Sequence, residues 1–278
     1  MKRRSLLKSL GLFLGIGPFV KAEPIEQTHD KEIVFCENAL EFLKCRDDIV
    51  YFVEKYCSTW HDVKLVLTDK LREILKQMVS ESHLCVVGSR QCGKSTLIRC
   101  YALWKSLFFD DQCIVIVSTN NSLAKNMMRL LRKSYQNILD GIKPLSVSRN
   151  ENMIRFENGS RIEVISNEME LRGRSFTDVL CDDPAFYEDD LIACLKPHLS
   201  NPYSQAKVIM MGNLYYNSGI FYTATQSKLY TQNQLHWRDV YDEEWGANIK
   251  NLLKCDDVWN VEFENIPITR EKLLDFVF

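Results

Sequence analysis

A strand, a glycine loop and the opening of a helix, written into Cys85 to Thr96, constrain this chain more than any other stretch. Gly88-Ser89-Arg90-Gln91-Cys92-Gly93-Lys94-Ser95 fits G-x-x-x-x-G-K-[ST], and apolar runs flank it on both sides. That is the context a phosphate-cradling loop needs. Gly88 and Gly93 permit backbone angles closed to other residues, so the N–H groups from Ser89 to Thr96 can converge on phosphate oxygens while the helix N-terminus adds partial positive charge. Lys94 is expected to reach the β- and γ-phosphates and Ser95 to hold Mg²⁺, which makes ATP with Mg²⁺ the expected cofactor. The competing reading is an ordinary strand-to-helix turn that matches the spacing by accident.

Composition bounds the rest. A length of 278 residues with 46% hydrophobic content suits one large domain, or one with a small appendage. A formal net charge of -2 excludes a uniformly basic nucleic-acid protein, so contact with a polyanion must come from local patches or from several copies. Ten cysteines are scattered without a C-x-x-C pair and read as small buried hydrophobes of a reducing, cytoplasmic compartment. Residues 1–35 form a separate N-terminal segment. Its Lys2-Arg3-Arg4, apolar run and Val20-Lys21-Ala22 copy the layout of an export signal with a twin-arginine start. An amphipathic helix is preferred, because an exported ATPase has no fuel and Lys8 breaks a run too short for a stable membrane span.

Along the chain, helix and strand alternate. Helical spacing covers Cys36 to Tyr56, then Asp69 to Ser80 behind Thr68, Ser95 to Phe108 and Leu123 to Leu139. Continuous apolar runs at Cys113 to Val117, Val179 to Cys181 and Lys207 to Met211 suit strands buried on both faces. Asn158-Gly159 between Met153–Phe156 and Arg161–Ile165 predicts an inserted β-hairpin. The expected fold is α/β, a P-loop nucleoside-triphosphatase with a mostly parallel central sheet flanked by helices. Its core spans 36–222. Residues 223–278, polar and holding Trp237, Trp245 and Trp259, are expected to form a small C-terminal subdomain or an interface.

An apolar strand that delivers Asp182 and then Asp183 supplies what hydrolysis needs beside such a loop. Asp182 would join Ser95 in holding the metal and its water shell, and Asp183 would orient the attacking water. Arg90 within the loop, and Arg172 and Arg174 just upstream of the acidic strand, are candidates to neutralise charge on the transferring phosphoryl group. Each of the latter two could equally be a surface arginine. Gly212-Asn213 ends a buried strand where the γ-phosphate could be sensed.

Taken in order, the phosphate loop, Leu171-Arg172-Gly173-Arg174-Ser175, Leu180-Cys181-Asp182-Asp183-Pro184-Ala185-Phe186, and Met211-Gly212-Asn213 with Ser218-Gly219-Ile220-Phe221-Tyr222 resemble the ATPase domain of the large terminase subunit of tailed bacteriophages. The resemblance runs from about Val66 to Glu264, and the arginine inside the loop is its most specific mark. It implies that Arg90, Lys94 and Asp183 are catalytic and that Gly212-Asn213 is a coupling motif. It also implies a homo-oligomeric ring that drives double-stranded DNA through a capsid portal with a small terminase subunit. Aspartate stands at Asp183 where glutamate is expected, and no glutamine appears near Leu71 to contact adenine. No nuclease is expected from this chain, so the gene is split, the chain is truncated, or a separate protein cuts the DNA. The rivals are a helicase-like ATPase stimulated by nucleic acid, and a non-hydrolysing nucleotide-binding assembly protein in which Asp183 is a degraded catalytic position.

Overall fold

The structure is a computed structural model that describes residues 25–59, 63–166, 168–187, 194 and 206–269. The signal-like run of residues 1–24 lies outside the described residues. Residues 1–39 and 40–278 form two compact units. The described part of the first belongs to helix α1 (Ile25–Asp47), which continues into the second.

Within residues 40–278 the helices start where short polar side chains satisfy their free N–H groups. Asp48 accepts from Val50 and Tyr51 at the head of α2 (Ile49–Tyr56). Thr68 accepts from Leu71 at the head of α3 (Asp69–Ser80), and Asn120 from Leu123 at the head of α5 (Asn121–Gln136). Helix α4 (Lys94–Phe108) follows the phosphate loop and is buried along most of its length. Helices α6 (Gly219–Gln226), α7 (Glu243–Leu253) and α8 (Asp256–Glu262) complete the set used below.

Eight strands form one sheet: β1 His83–Gly88, β2 Cys113–Val117, β3 Ser146–Asn150, β4 Met153–Phe156, β5 Arg161–Ile165, β6 Asp178–Asp182, β7 Lys207–Gly212 and β8 Thr231–Leu235. Their order is β3-β4-β5-β2-β6-β7-β1-β8, and from β5 to β8 every pairing is parallel. Alternate residues feed two apolar layers. Leu84, Val86, Ile116, Leu180 and Met211 pack with α2 to α5, and Cys85, Val87, Val117, Cys181 and Met210 pack on the face shared with α6. Burial on both faces explains why these strands read as unbroken apolar runs.

The expected hairpin exists, with Met153 opposite Glu163 and Ile154 opposite Ile162. It extends the edge of the main sheet, and β3 adds a further antiparallel strand outside it. The sheet also takes β8 from beyond Tyr222, where the sequence pattern weakens: β8 pairs with β1 from Leu84↔Thr231 to Gly88↔Leu235. As an edge strand of sequence TQNQL it buries Leu235 fully and leaves Gln232 and Gln234 exposed, so its pattern is mostly polar.

Candidate active site: the phosphate loop and the paired aspartates

Parallel strands carry their loops to one end of the sheet, and β1, β7 and β6 lie side by side. The phosphate loop leaves β1, Asp182-Asp183 leave β6, and Asn213 leaves β7 between them. In the loop the left-handed residues are Gln91 (φ 64°) and Gly93 (φ 88°). Gly88 is not among them, which corrects the expectation for that glycine. A side chain there would meet the Lys94 stem at 2.9 Å, so what Gly88 supplies is room.

Lys94 is buried, and its ammonium donates to the carbonyls of Gly88 (2.9 Å) and Ser89 (2.7 Å) and to Asn213 Oδ1 (2.9 Å). Burial lowers its pKa, and the charge of Asp183 resists that shift. Ser95 Oγ donates to Asp182 Oδ1 at 2.8 Å, which ties the loop to the acidic strand. Loss of solvation, reinforced by the neighbouring carboxylate, pushes the half-buried Asp182 up to about 7.

Asp183 is strained and half-buried. Its backbone is left-handed (φ 55°), its N–H donates to the Met211 carbonyl (2.9 Å), and its Oδ1 is buried without a hydrogen-bond partner. Burial raises its pKa, while Lys94 and Arg90 pull it back. Gly212 sits against this turn, where an added Cβ would lie 2.9 Å from Pro184 Cδ and 3.2 Å from Asp183 Cα. Here only glycine leaves the carboxylate in place.

Other residues of the loop serve different ends. Ser89 Oγ donates to the Phe263 carbonyl (2.5 Å) and accepts from the Trp237 N–H (3.1 Å), so its side chain fastens the loop to the segment after α8. Arg90, half-exposed, pairs with Glu262 at 2.6 Å, and its N–H donates to the Glu262 carbonyl (2.7 Å). Tyr215 donates to the other Glu262 oxygen (2.6 Å), and Asn213 Nδ2 donates to the Glu262 carbonyl (2.7 Å). The Gln91 carbonyl accepts from the Tyr241 hydroxyl (2.9 Å). Cys92 is buried, with its thiol pushed up to about 11 by loss of solvation, and Thr96 lines a cleft beside the loop.

The structure thus brings Lys94, Ser95, Asp182, Asp183 and Asn213 together. It holds Arg174 elsewhere, against the buried Glu163 of β5, which also pairs with Arg161 at 3.0 Å. Arg172 is exposed, with Nε 3.4 Å from Cys194 Sγ. Glu262 and Tyr215 are the site residues that sequence reasoning missed. One of several acids around Trp259 and a tyrosine after Gly212-Asn213 follow no spacing rule; chain return, not local pattern, brings them to the loop.

The donors suit Mg²⁺, a hard cation that binds through one or two carboxylates and keeps several waters. They are the Ser95 hydroxyl, the Asp182 carboxylate and, nearby, the unpartnered oxygen of Asp183. Among the described residues no group of three or more His, Cys, Asp or Glu could hold a metal ion. No described helix is long and apolar enough to cross a membrane.

A glycine loop running into a helix, with a strand-end aspartate hydrogen-bonded across an intervening strand, defines a P-loop nucleoside-triphosphatase fold. Its particular resemblance is to the phage large terminases: residues 85–193 match the family described as terminase large subunit, T4likevirus-type, N-terminal. The ATPase domain of the Thermus phage P74-26 large terminase, in an arginine-to-alanine mutant, superposes with a TM-score of 0.59 at 14% identity, covering 73% of this chain and 100% of that one. The bacteriophage HK97 large terminase gives 0.59 at 10% identity over 80% of this chain and 55% of its own. A large terminase of a thermophilic bacteriophage, in complex with ADP, gives 0.58 at 12% identity over 72% and 53%. This chain therefore spans the isolated ATPase domain and about half the length of the two larger terminases. The resemblance drawn from its motifs is borne out by the family match.

Proposed function

We propose that this chain hydrolyses ATP and uses the reaction to move double-stranded DNA, as the motor of a phage-type genome-packaging terminase. One observation carries the reading: Ser95 on the loop and Asp182 on the acidic strand meet at 2.8 Å, with the buried Lys94 and the half-buried Asp183 beside them. On binding, the Lys94 ammonium exchanges its carbonyl partners for phosphate oxygens. Ser95 and Asp182 would hold the metal, and Asp183 would orient the attacking water. When bound, Mg²⁺ supplies charge neutralisation on the phosphates. Asn213 already touches Lys94 and the Glu262 carbonyl, so it is placed to pass a change at the γ-phosphate to the α8 segment.

Arg90 leaves Glu262 to stabilise the transferring group. Arg172, which is exposed, and Arg174, which is engaged by Glu163, are the candidates for an additional arginine offered to the transferring phosphoryl group. Portal and small terminase subunit follow from the resemblance as expected partners. The test is DNA-stimulated phosphate release by the purified chain. It should fall at least a hundredfold in Lys94→Ala; an unchanged rate in that variant removes the proposed site.

A further inference from the structure

Among the described residues one arginine is buried, and its charge is left unanswered. Arg99, in the second turn of α4, is 3% exposed. Its Nη2 donates to the Ser58 carbonyl just past α2 (2.7 Å), and its Nε is buried without a hydrogen-bond partner. No carboxylate of the described residues pairs with it. Lys94, also buried, is satisfied by two carbonyls and Asn213 and lies in the field of Asp183 and Asp182. Arg99 has no such company. Taking a guanidinium out of water is strongly unfavourable unless an opposite charge meets it. A cation kept buried and unpaired is therefore poised for an anion that the chain itself does not supply.

The place of Arg99 says which anion. Three residues beyond Thr96 and four beyond Ser95, it shares their face of α4. With Thr96 it borders two openings. One is the cleft of about 800 Å³ beside the phosphate loop, which Gly93 also lines. The other, of about 110 Å³, is shared with Ser95, Asp182 and Asn126 of α5. Arg99 thus stands where the two openings meet, on the flank of α4 toward α5, whereas Lys94 reaches Asn213 at the end of β7. A triphosphate laid along the loop with its terminal group at Lys94 and Asp183 runs toward Thr96, and the phosphate nearest the nucleoside comes to Arg99.

We infer that Arg99 is a nucleotide-contacting residue whose guanidinium, held by the Ser58 carbonyl, donates charge-assisted hydrogen bonds to the α-phosphate. The inference rests on the reading of Gly88 to Ser95 as a phosphate site. It makes this cation a contributor to affinity and not to the fold: the free chain bears the penalty of burying the charge, and bound nucleotide relieves it. Removing the charge should then act in opposite directions on the free and the bound protein.

The test pairs thermal melting of the full chain without nucleotide with calorimetric titration of the Mg²⁺ complexes of ATPγS and ADP, in the parent, Arg99→Met and Arg99→Gln. Without nucleotide the variants should melt at or above the parent temperature, because no ion pair is lost. Both nucleotides carry the α-phosphate, so both should bind at least about tenfold more weakly, by a common factor. Where the two variants differ in stability, the more stable one is read. Melting below the parent in both variants would overturn the inference by making Arg99 a prop of the fold. Parent-like affinity for ATPγS and ADP would overturn it by placing the α-phosphate elsewhere. A loss confined to ATPγS would do the same by moving the contact to the terminal phosphate. Each of these results leaves the phosphate site standing. Failure of the parent to bind either nucleotide would remove that site and the inference with it.

Discussion

Two clusters of buried charge belong to this sheet, and they are handled in opposite ways. On β5, Glu163 faces two arginines, Arg161 and Arg174, and its charge is answered on both sides. After β6, two carboxylates follow one another with a single buried lysine. Asp182 is pushed up to about 7, and one oxygen of Asp183 is buried with no partner. The first arrangement holds structure together. The second is a poor way to do so, because it leaves a buried acceptor free for something that arrives. Mismatch, more than burial, separates the chemical end of this sheet from its scaffold.

The sharpest way to break this contrast is Asp183→Asn. If the unpartnered carboxylate serves hydrolysis, kcat should fall by about a hundredfold or more while nucleotide affinity holds, measured by phosphate release and by titration. Retention of full activity would make Asp183 mere strain. Next in size is Arg174→Ala, which leaves the buried Glu163 with Arg161 alone and should lower stability by about 3 kcal/mol in denaturant unfolding. Binding of ATPγS at the distant loop should not change.

Ser89→Ala sharpens the comparison from inside the loop. Its hydroxyl serves Phe263 and Trp237, so the loss should appear as about 1–2 kcal/mol of stability, with nucleotide affinity little altered. The smallest expected effect is on pH. Asp182 binds a proton in the folded chain up to about pH 7, whereas the unfolded chain releases it near the ordinary aspartate value of 3.8. Its contribution is therefore favourable at low pH and is lost as pH rises through about 7. Asp182→Asn should melt about 2–4 °C higher than the parent at pH 8 without Mg²⁺, with the difference narrowing below pH 7 and closing only near pH 4.

The parts legible in the sequence were those governed by local rules. Thr68 and the 3.6-residue spacing behind it place α3 at the residues expected, and Cys113–Val117, apolar throughout, is β2. Asn158-Gly159 turns the β4–β5 hairpin because its geometry is carried by two residues. What escaped was set by distant contacts. β8 alternates polar and half-buried residues because it is an edge, so neither period stands out. Glu262 became a site residue because the chain comes back to the loop after α8, at a separation of 172 residues from Arg90. The glycine rule was right for Gly93 and misplaced at Gly88, where the left-handed turn passes to Gln91.

One consequence of the strand order concerns how motion could travel. β7 is wedged between the strand bearing the loop and the strand bearing the acids, and its last glycine abuts the Asp183 turn with no slack. Such a wedge cannot slip sideways without pushing one neighbour or the other. The two halves of the site are thus geared through a single backbone, and Asn213 at its tip is the tooth that meshes with Lys94 on one side and the Glu262 carbonyl on the other.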